Sequence, residues 1–236
     1  MRIHVITAFP KTFAGFLDES ILKRAIQKNA VHITLHDIRD YATDKHQQID
    51  DYPYGGGPGM ILKPEPIFRC IEDVLDKSDD DDAKITLLTP AGEQYNQKKA
   101  VELSLRESMI LLCGHYKGID QRVIDELVDE ELSIGDYVLT GGELAAMVVI
   151  DSVIRLLPGV IGDIDSAVTD SFQTGLLDHP HYTRPEEFRG KRVPDVLLSG
   201  NHNKIEAWRQ EKALTVTKAR RHDLYQKYIE NENENE

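Results

Sequence analysis

Three glycine-rich loops, Gly55-Gly56-Gly57-Pro58-Gly59, Gly114-His115-Tyr116-Lys117-Gly118 and Gly141-Gly142, hold the clearest chemical potential of this 236-residue chain. Loops of small residues let a flat heterocycle approach backbone N–H and C=O groups directly. The second and third loops follow the β-rich runs "MILLC" and "DYVLT". They therefore fall at the carboxyl ends of expected strands, the edge where open α/β sheets bind ligands. No G-x-G-x-x-G follows the first strand and no G-x-x-x-x-G-K-[ST] occurs, which removes the main support for dinucleotide and P-loop readings. G-x-S-x-G, H-E-x-x-H and a Cys/His cluster are missing too. Taken singly, each loop is explained by a tight turn. Three on one sheet without a phosphate motif point to a nucleoside-like ligand lacking a polyphosphate.

Two charged residues outside these loops have ordinary structural readings. Asp170-Ser171, in "TDSF", suits a turn or a helix N-cap. Arg155 sits near the end of the helix expected from Glu143 to Leu157. It also lies four residues after Asp151, a spacing that stabilises a helix by only about 0.3–0.5 kcal/mol when exposed.

Formal charge is −13, which by itself argues against a nucleic-acid partner. The charge is unevenly spread, however. Acids gather in Asp79-Asp80-Asp81-Asp82, in Asp125 to Glu131 and in the tail from Glu230. Between Lys191 and Arg221, eight basic residues stand against three acids, a local balance of +5. A cationic C-terminal third suits a polyanion, or equally a set of solvated helix faces.

These residues need a scaffold, and the hydrophobic pattern supplies one. "RIHVITAF", "VHITLHDI", "KITLLTP", "SMILLCG" and "DYVLTG" read as strands. "FAGFLDESILKRAIQKN", "EPIFRCIEDVLD", "NQKKAVELSLRE", "QRVIDELV" and "GELAAMVVIDSVIRLL" read as helices between and after them. Strand–helix alternation with continuous apolar strands predicts a mostly parallel sheet covered on both faces. The helix from Glu143 to Leu157 is apolar almost all round, so burial on every side is expected, in a core or against a second chain. Residues 160–190 lack periodicity and read as linker or functional loop. "NKIEAWRQEKAL" and "VTKARRHDLYQKYI" predict two final helices, with Trp208 expected in their core because Ile205 lies three residues earlier. Two cysteines, Cys70 and Cys113, are too few for a disulfide framework. Met1 to Val5 reads into a strand rather than a signal peptide, and no apolar run spans a bilayer, so a cytoplasmic location is expected.

Taken together and in order, "YGGGPGM", "CGHYKGID", "SIGDYVLTGGEL", "RLLPGV", "DSF…GLLDHPHYTRP" and "VPDVLLSGNH…WR" closely resemble the bacterial tRNA (guanine-37-N1)-methyltransferases of the SPOUT superfamily. The resemblance runs from the first strand to about Arg221 and implies a definite organisation. Residues 1–160 would be an α/β domain whose C-terminal part is tied in a deep trefoil knot. Residues 161–176 would be a flexible linker, and 177–236 a small all-α tRNA-binding domain with an acidic tail. S-adenosylmethionine would sit in the knot, held by Pro90, Gly114, Tyr116, Gly118, the segment Ser133, Ile134, Gly135, Asp136, Tyr137, Val138 and Leu139, and the turn Gly141-Gly142. Asp170 would take the guanine N1 proton and Arg155 would face the base. The anticodon arm would be gripped by His181, Tyr182, Arg184, Arg209, Arg220 and Arg221. A homodimer with shared active sites would follow.

The chain departs from that pattern at Lys117 and Gln121, where acids are usual, at Ala145, usually proline, and at Tyr52, often arginine. Lys117 lies where the family approaches the methionine end of its cofactor. It could pair with the methionine carboxylate, and it places the family's suspected magnesium dependence in doubt; no metal ligands are assigned. Two alternatives stay open: a cofactor-binding RNA-binding protein with altered or lost activity, and a different SPOUT RNA methyltransferase.

Overall fold

The computed structural model describes residues 1–78, 83–161 and 170–234. The chain divides into two units, Met1–Gly162 and Asp163–Glu236.

The first unit is built on a five-stranded, wholly parallel sheet in the order β2-β1-β6-β5-β7. The strands are β1 (Arg2–Thr7), β2 (His32–Asp37), β5 (Lys84–Gln94), β6 (Ser108–Cys113) and β7 (Glu130–Ser133); β3 (Asp50–Asp51) and β4 (Ile61–Leu62) pair separately and antiparallel. The central strand β6 is buried at every position, which explains its unbroken apolar sequence. Its side chains alternate between two cores. Met109, Leu111 and Cys113 join one cluster with Ile3 and Val5, whereas Ile110 and Leu112 join the other with Ile6. The first core is closed by α2 (Ser20–Gln27), α4 (Gln97–Ser104) and α6 (Glu143–Ile154) through Leu22, Leu103 and Val149. The second is closed by α3 (Pro64–Ser78) and α5 (Gln121–Leu127) through Ile67, Ile71 and Val123. Cys70 and Cys113 are free and buried, acting as small apolar fillers.

Two elements differ from the sequence expectation. The first helix is split into α1 (Ala14–Leu17) and α2, which starts at Ser20 with φ 52°. Asp18-Glu19-Ser20 supplies polar side chains that compete for backbone hydrogen bonds, favouring a break over an interior. The helix α2 ends on Asn29 at φ 56°, where Ala30 N–H bonds Ala25 C=O and Asn29 N–H bonds Ile26 C=O, a left-handed cap of the Schellman type.

The larger correction concerns "DYVLTG". It is a loop, and the strand is the preceding "EELS". The apolar content of Tyr137 and Val138 mimicked a strand, yet the two are 56% and 88% exposed, with no neighbouring strand to cover them. The polar strand β7 holds its edge position because Glu130 is satisfied by Thr86 (2.7 Å), Arg106 (2.6 Å) and Lys99 (3.0 Å). Burial alone would raise the Glu130 carboxyl; those three hydrogen bonds bring it down to about 2.

The second unit is helical, with His202–Arg220 and His222–Glu234 as its long elements, a short helix Asp195–Leu198 and a hairpin of β8 (Glu187–Phe188) and β9 (Lys191–Arg192). Asn201 caps the longest helix by accepting from Lys204 N–H. Of the expected linker, 162–169 lies outside the described residues, while Leu176 is buried within this unit. Leu177 N–H bonds Thr217 Oγ1 at 2.9 Å, fastening that segment to the long helix. Among the described residues no helix is long and apolar enough to cross a membrane.

Candidate cofactor pocket

At the carboxyl edge of the sheet the chain encloses a cavity of about 510 Å³, within the roughly 300–1,000 Å³ typical of small-molecule sites. Three segments wall it: the end of β5 with Pro90, the loop after β6 from Gly114 to Gly118, and the stretch from Ser133 to Gly142. Of the residues expected to hold a cofactor, all reach the cavity except Asp136, which is exposed and outside it. Lys117, expected near the methionine end of the cofactor, lines it too, and so do His115, to which the sequence pattern assigns no cofactor contact, and Ala145 at the start of α6. The signal for His115 was its place inside the second glycine loop.

Backbone contacts fix the geometry. Gly142 N–H donates to Gly114 C=O at 2.7 Å, and His115 and Gly141 form an isolated β-bridge. Leu62 N–H bonds Gly118 C=O and Lys117 N–H bonds Met60 C=O, both at 3.0 Å, so the YGGGPGM loop rests on the cavity wall. A Cβ on Gly142 would stand 2.8 Å from the Cys113 Cα, closer than packing allows. A Cβ on Gly114 would meet nothing nearer than 3.8 Å. The first glycine is demanded by the fold, whereas the second leaves free volume that a ligand can use. Tyr116, 44% exposed at the rim, has its phenol pushed up by burial and by the Asp50 carboxylate. Asp120 caps α5 through Arg122 N–H and is held low chiefly by the Arg122 guanidinium.

Elsewhere, Arg155 is the C-cap of α6, half-buried, its amide bonded to Asp151 C=O at 3.2 Å. Leu144 and Val148, one turn apart on α6, are 52% and 46% exposed, so this helix is not covered on every side within one chain. In the second unit, Asp170 opens a turn with its C=O accepting from Gln173 N–H, and Ser171 Oγ accepts from Asp178 N–H. His181, Tyr182, Arg184, Arg209, Arg220 and Arg221 are all exposed. Arg209 reaches Glu206 at 3.5 Å and Arg221 forks onto Asp223 at 2.9 and 2.6 Å. Trp208 is half-buried between His179 and Tyr182 rather than in a core, with ring centroids 6.1 and 6.3 Å away. Asp178, His179 and His181 bring possible ligand atoms within 4.8 Å of one another, though Asp178 is already bonded to His181 at 2.8 Å.

A parallel α/β sheet with a glycine-walled cavity at its carboxyl edge has the form of a small-molecule-binding domain, and a helical unit with exposed cations follows it in the chain. The family model described as tRNA (Guanine-1)-methyltransferase TrmD matches residues 1–227, and the chain belongs to that family. A tRNA (guanine-N(1)-)-methyltransferase of Anoxybacillus flavithermus is 58% identical over 228 residues, covering 97% of this chain and 93% of the relative. Proteins of the same description from Clostridioides difficile and Listeria innocua are 50% and 54% identical, over 96% and 97% of this chain and 98% and 93% of their own.

Proposed function

We propose that this chain transfers a methyl group from S-adenosylmethionine to N1 of guanine 37, the base 3′ of the anticodon, in tRNA. The observation carrying the reading is the cavity itself, because it gathers the loops that the family resemblance assigns to the cofactor. The fit is chemical as well as spatial. The walls offer backbone groups and small residues for an adenine edge, with Lys117 for a carboxylate. When bound, S-adenosylmethionine supplies a methyl group activated by its sulfonium.

The chain's own residues do the rest. Asp170 accepts the N1 proton as the base becomes nucleophilic, a contribution worth about 10²–10⁴ in rate. Arg155 stabilises the charge that develops at O6. No covalent intermediate is needed; the gain is proximity and alignment. The exposed pair Leu144 and Val148 supports a homodimer, in which a second chain covers α6 and shares the site. The trefoil knot in this part of the chain follows from the family resemblance. In the C-terminal unit, Tyr182 and His181 offer stacking, while Arg184, Arg209, Arg220 and Arg221 offer phosphate contacts, which reconciles an acidic chain with an anionic partner. The reaction takes place in the cytoplasm.

The test is methyl transfer from labelled S-adenosylmethionine to a tRNA transcript bearing guanine after the anticodon, with Asp170→Asn alongside and the product digested to nucleosides. Wild type should yield 1-methylguanosine, and the variant should lose at least about 100-fold while still binding the cofactor. A 2′-O-methylated nucleoside would point to the other kind of SPOUT enzyme, and binding without turnover to an RNA-binding role.

A further inference from the structure

Glu143 begins α6 with its side chain buried; the residue is 6% exposed. A carboxylate taken out of water demands partners, so those it has are informative. Oε1 accepts from the Thr7 hydroxyl at 2.7 Å, across 136 residues of sequence. Thr7 closes β1, is fully buried, and its Oγ1 also accepts from Phe9 N–H at 2.9 Å. The other oxygen, Oε2, stands 3.8 Å from Nδ1 of His115. That nitrogen is itself buried and has no hydrogen-bond partner among the described residues. The imidazole is clamped between Phe9 and Tyr116, with ring centroids at 4.5 and 4.8 Å. A Cβ on Gly141 would run into both the Glu143 carboxylate and the His115 ring, so all three meet at one point.

His115 and Gly141 line the cavity; Glu143 does not. We infer that Glu143 is a positioning residue: a strut seated on Thr7 that sets the His115 loop against the Gly141-Gly142 turn, with His115 Nδ1–H donating to Oε2 once the methyl donor fills the cavity. The inference rests on reading this cavity as the donor site. The unpaired nitrogen is the key observation. An unmet buried donor costs on the order of 1–3 kcal/mol, and a sub-ångström approach of the loop to the carboxylate removes that cost. Occupancy of the cavity by a ligand touching His115 and Gly141 is the event able to drive it. A carboxylate serving only as a favourable charge in the first turn of a helix would need neither Thr7 nor His115.

The test measures binding of S-adenosylhomocysteine to the full chain by calorimetry, with steady-state kinetics beside it. Thr7→Val preserves shape while removing the hydroxyl, and Glu143→Ala removes the strut. Both should weaken binding by about tenfold or more and raise the donor KM, with kcat at saturating donor within about threefold. Glu143→Gln keeps an oxygen for Thr7 but turns an NH2 donor towards the His115 Nδ1–H, so affinity should fall between that of Glu143→Ala and wild type. In wild type the His115 Nδ1–H proton should shift downfield, as for a hydrogen bond to a carboxylate, when S-adenosylhomocysteine is added, and Glu143→Ala should lack that downfield proton even where ligand contact moves other His115 signals. Should Glu143→Ala fail to fold, Thr7→Val decides. Wild-type affinity in folded Thr7→Val would overturn the strut while leaving the donor site standing. Failure of wild type to bind S-adenosylhomocysteine would overturn both.

Discussion

The Gly142 amide nitrogen donates to the Gly114 carbonyl oxygen 2.7 Å away, stitching the turn before α6 to the loop after β6. Two loops distant in sequence thereby become one wall of a single cavity. The stitch is possible only because Gly142 has no side chain: its φ of −77° is ordinary, so the requirement is steric rather than conformational.

Gly142→Ala should therefore abolish the pocket more than it strains the backbone. The added methyl would sit 2.8 Å from the Cys113 Cα, in a core with no room to yield. Affinity for S-adenosylhomocysteine should fall by at least about tenfold, and overpacking should cost roughly 1–3 kcal/mol of stability. Gly15→Ala is the control, since nothing lies within 4 Å of its would-be Cβ and it sits in α1. It should be neutral or stabilising by up to about 1 kcal/mol. Calorimetric binding and thermal melts of both variants check this, and unchanged affinity in Gly142→Ala would show that the loops can part without loss.

A second relationship predicts the acid limb of stability. His36 is stacked on His4 with ring centroids 5.3 Å apart, and burial followed by the neighbouring His4 lowers it to about 4. The folded state thus binds this proton less readily than the unfolded state, whose histidine titrates near 6.5. Stability from this group is complete above pH 6.5 and is lost as pH falls from there towards 4. His36→Gln should flatten that part of the stability curve in urea titrations at successive pH values. An unchanged slope between pH 6.5 and 4 would place the proton elsewhere.

The sequence made much of this architecture readable, and the reasons differ by element. β6 declared itself because a strand buried on both faces must be apolar throughout. The cavity's glycines were visible because the second and third loops stood beside apolar runs, although the run before Gly141 proved to be a loop. The strand β7 was hidden for the opposite reason: its Glu130 is accommodated by Arg106, Lys99 and Thr86, partners that no local pattern reveals. The Thr7–Glu143 bond was equally invisible, since 136 residues separate its ends. Trp208 was misread because spacing from Ile205 reports a helix face, not whether another element covers it.

Lys117 gives a prediction about metal. It lines the cavity where the resemblance expects an acid, and its Cγ would stand 2.7 Å from a Cβ on Gly59, so its stem packs closely on the glycine loop. An ammonium on a stem packed there can meet a donor carboxylate directly, without a cation in between. Methyl transfer in excess chelator should keep at least about half of its rate, and Lys117→Ala should weaken S-adenosylhomocysteine binding by roughly tenfold, the scale of one charge-assisted hydrogen bond. Complete loss of activity in chelator, with tRNA still folded, would show that Lys117 does not replace a metal.

Arg220 and Arg221 are adjacent and exposed, yet they should behave differently towards tRNA. Arg221 already commits its guanidinium to Asp223, whose carboxyl is drawn down to about 2 chiefly by that bond. Any phosphate it meets must compete with this carboxylate, whereas Arg220, at the end of the helix His202–Arg220, makes no such fork among the described residues. Arg220→Ala should weaken binding and lower the slope of log affinity against log salt by about one, as expected when one fewer phosphate is neutralised. Asp223→Ala should do the reverse, strengthening binding about two- to threefold by releasing Arg221 and removing a repulsive charge. Filter binding across a salt series measures both. A slope unchanged in Arg220→Ala takes that residue out of the interface, and weaker binding in Asp223→Ala would mean that the fork serves to aim Arg221 rather than to restrain it.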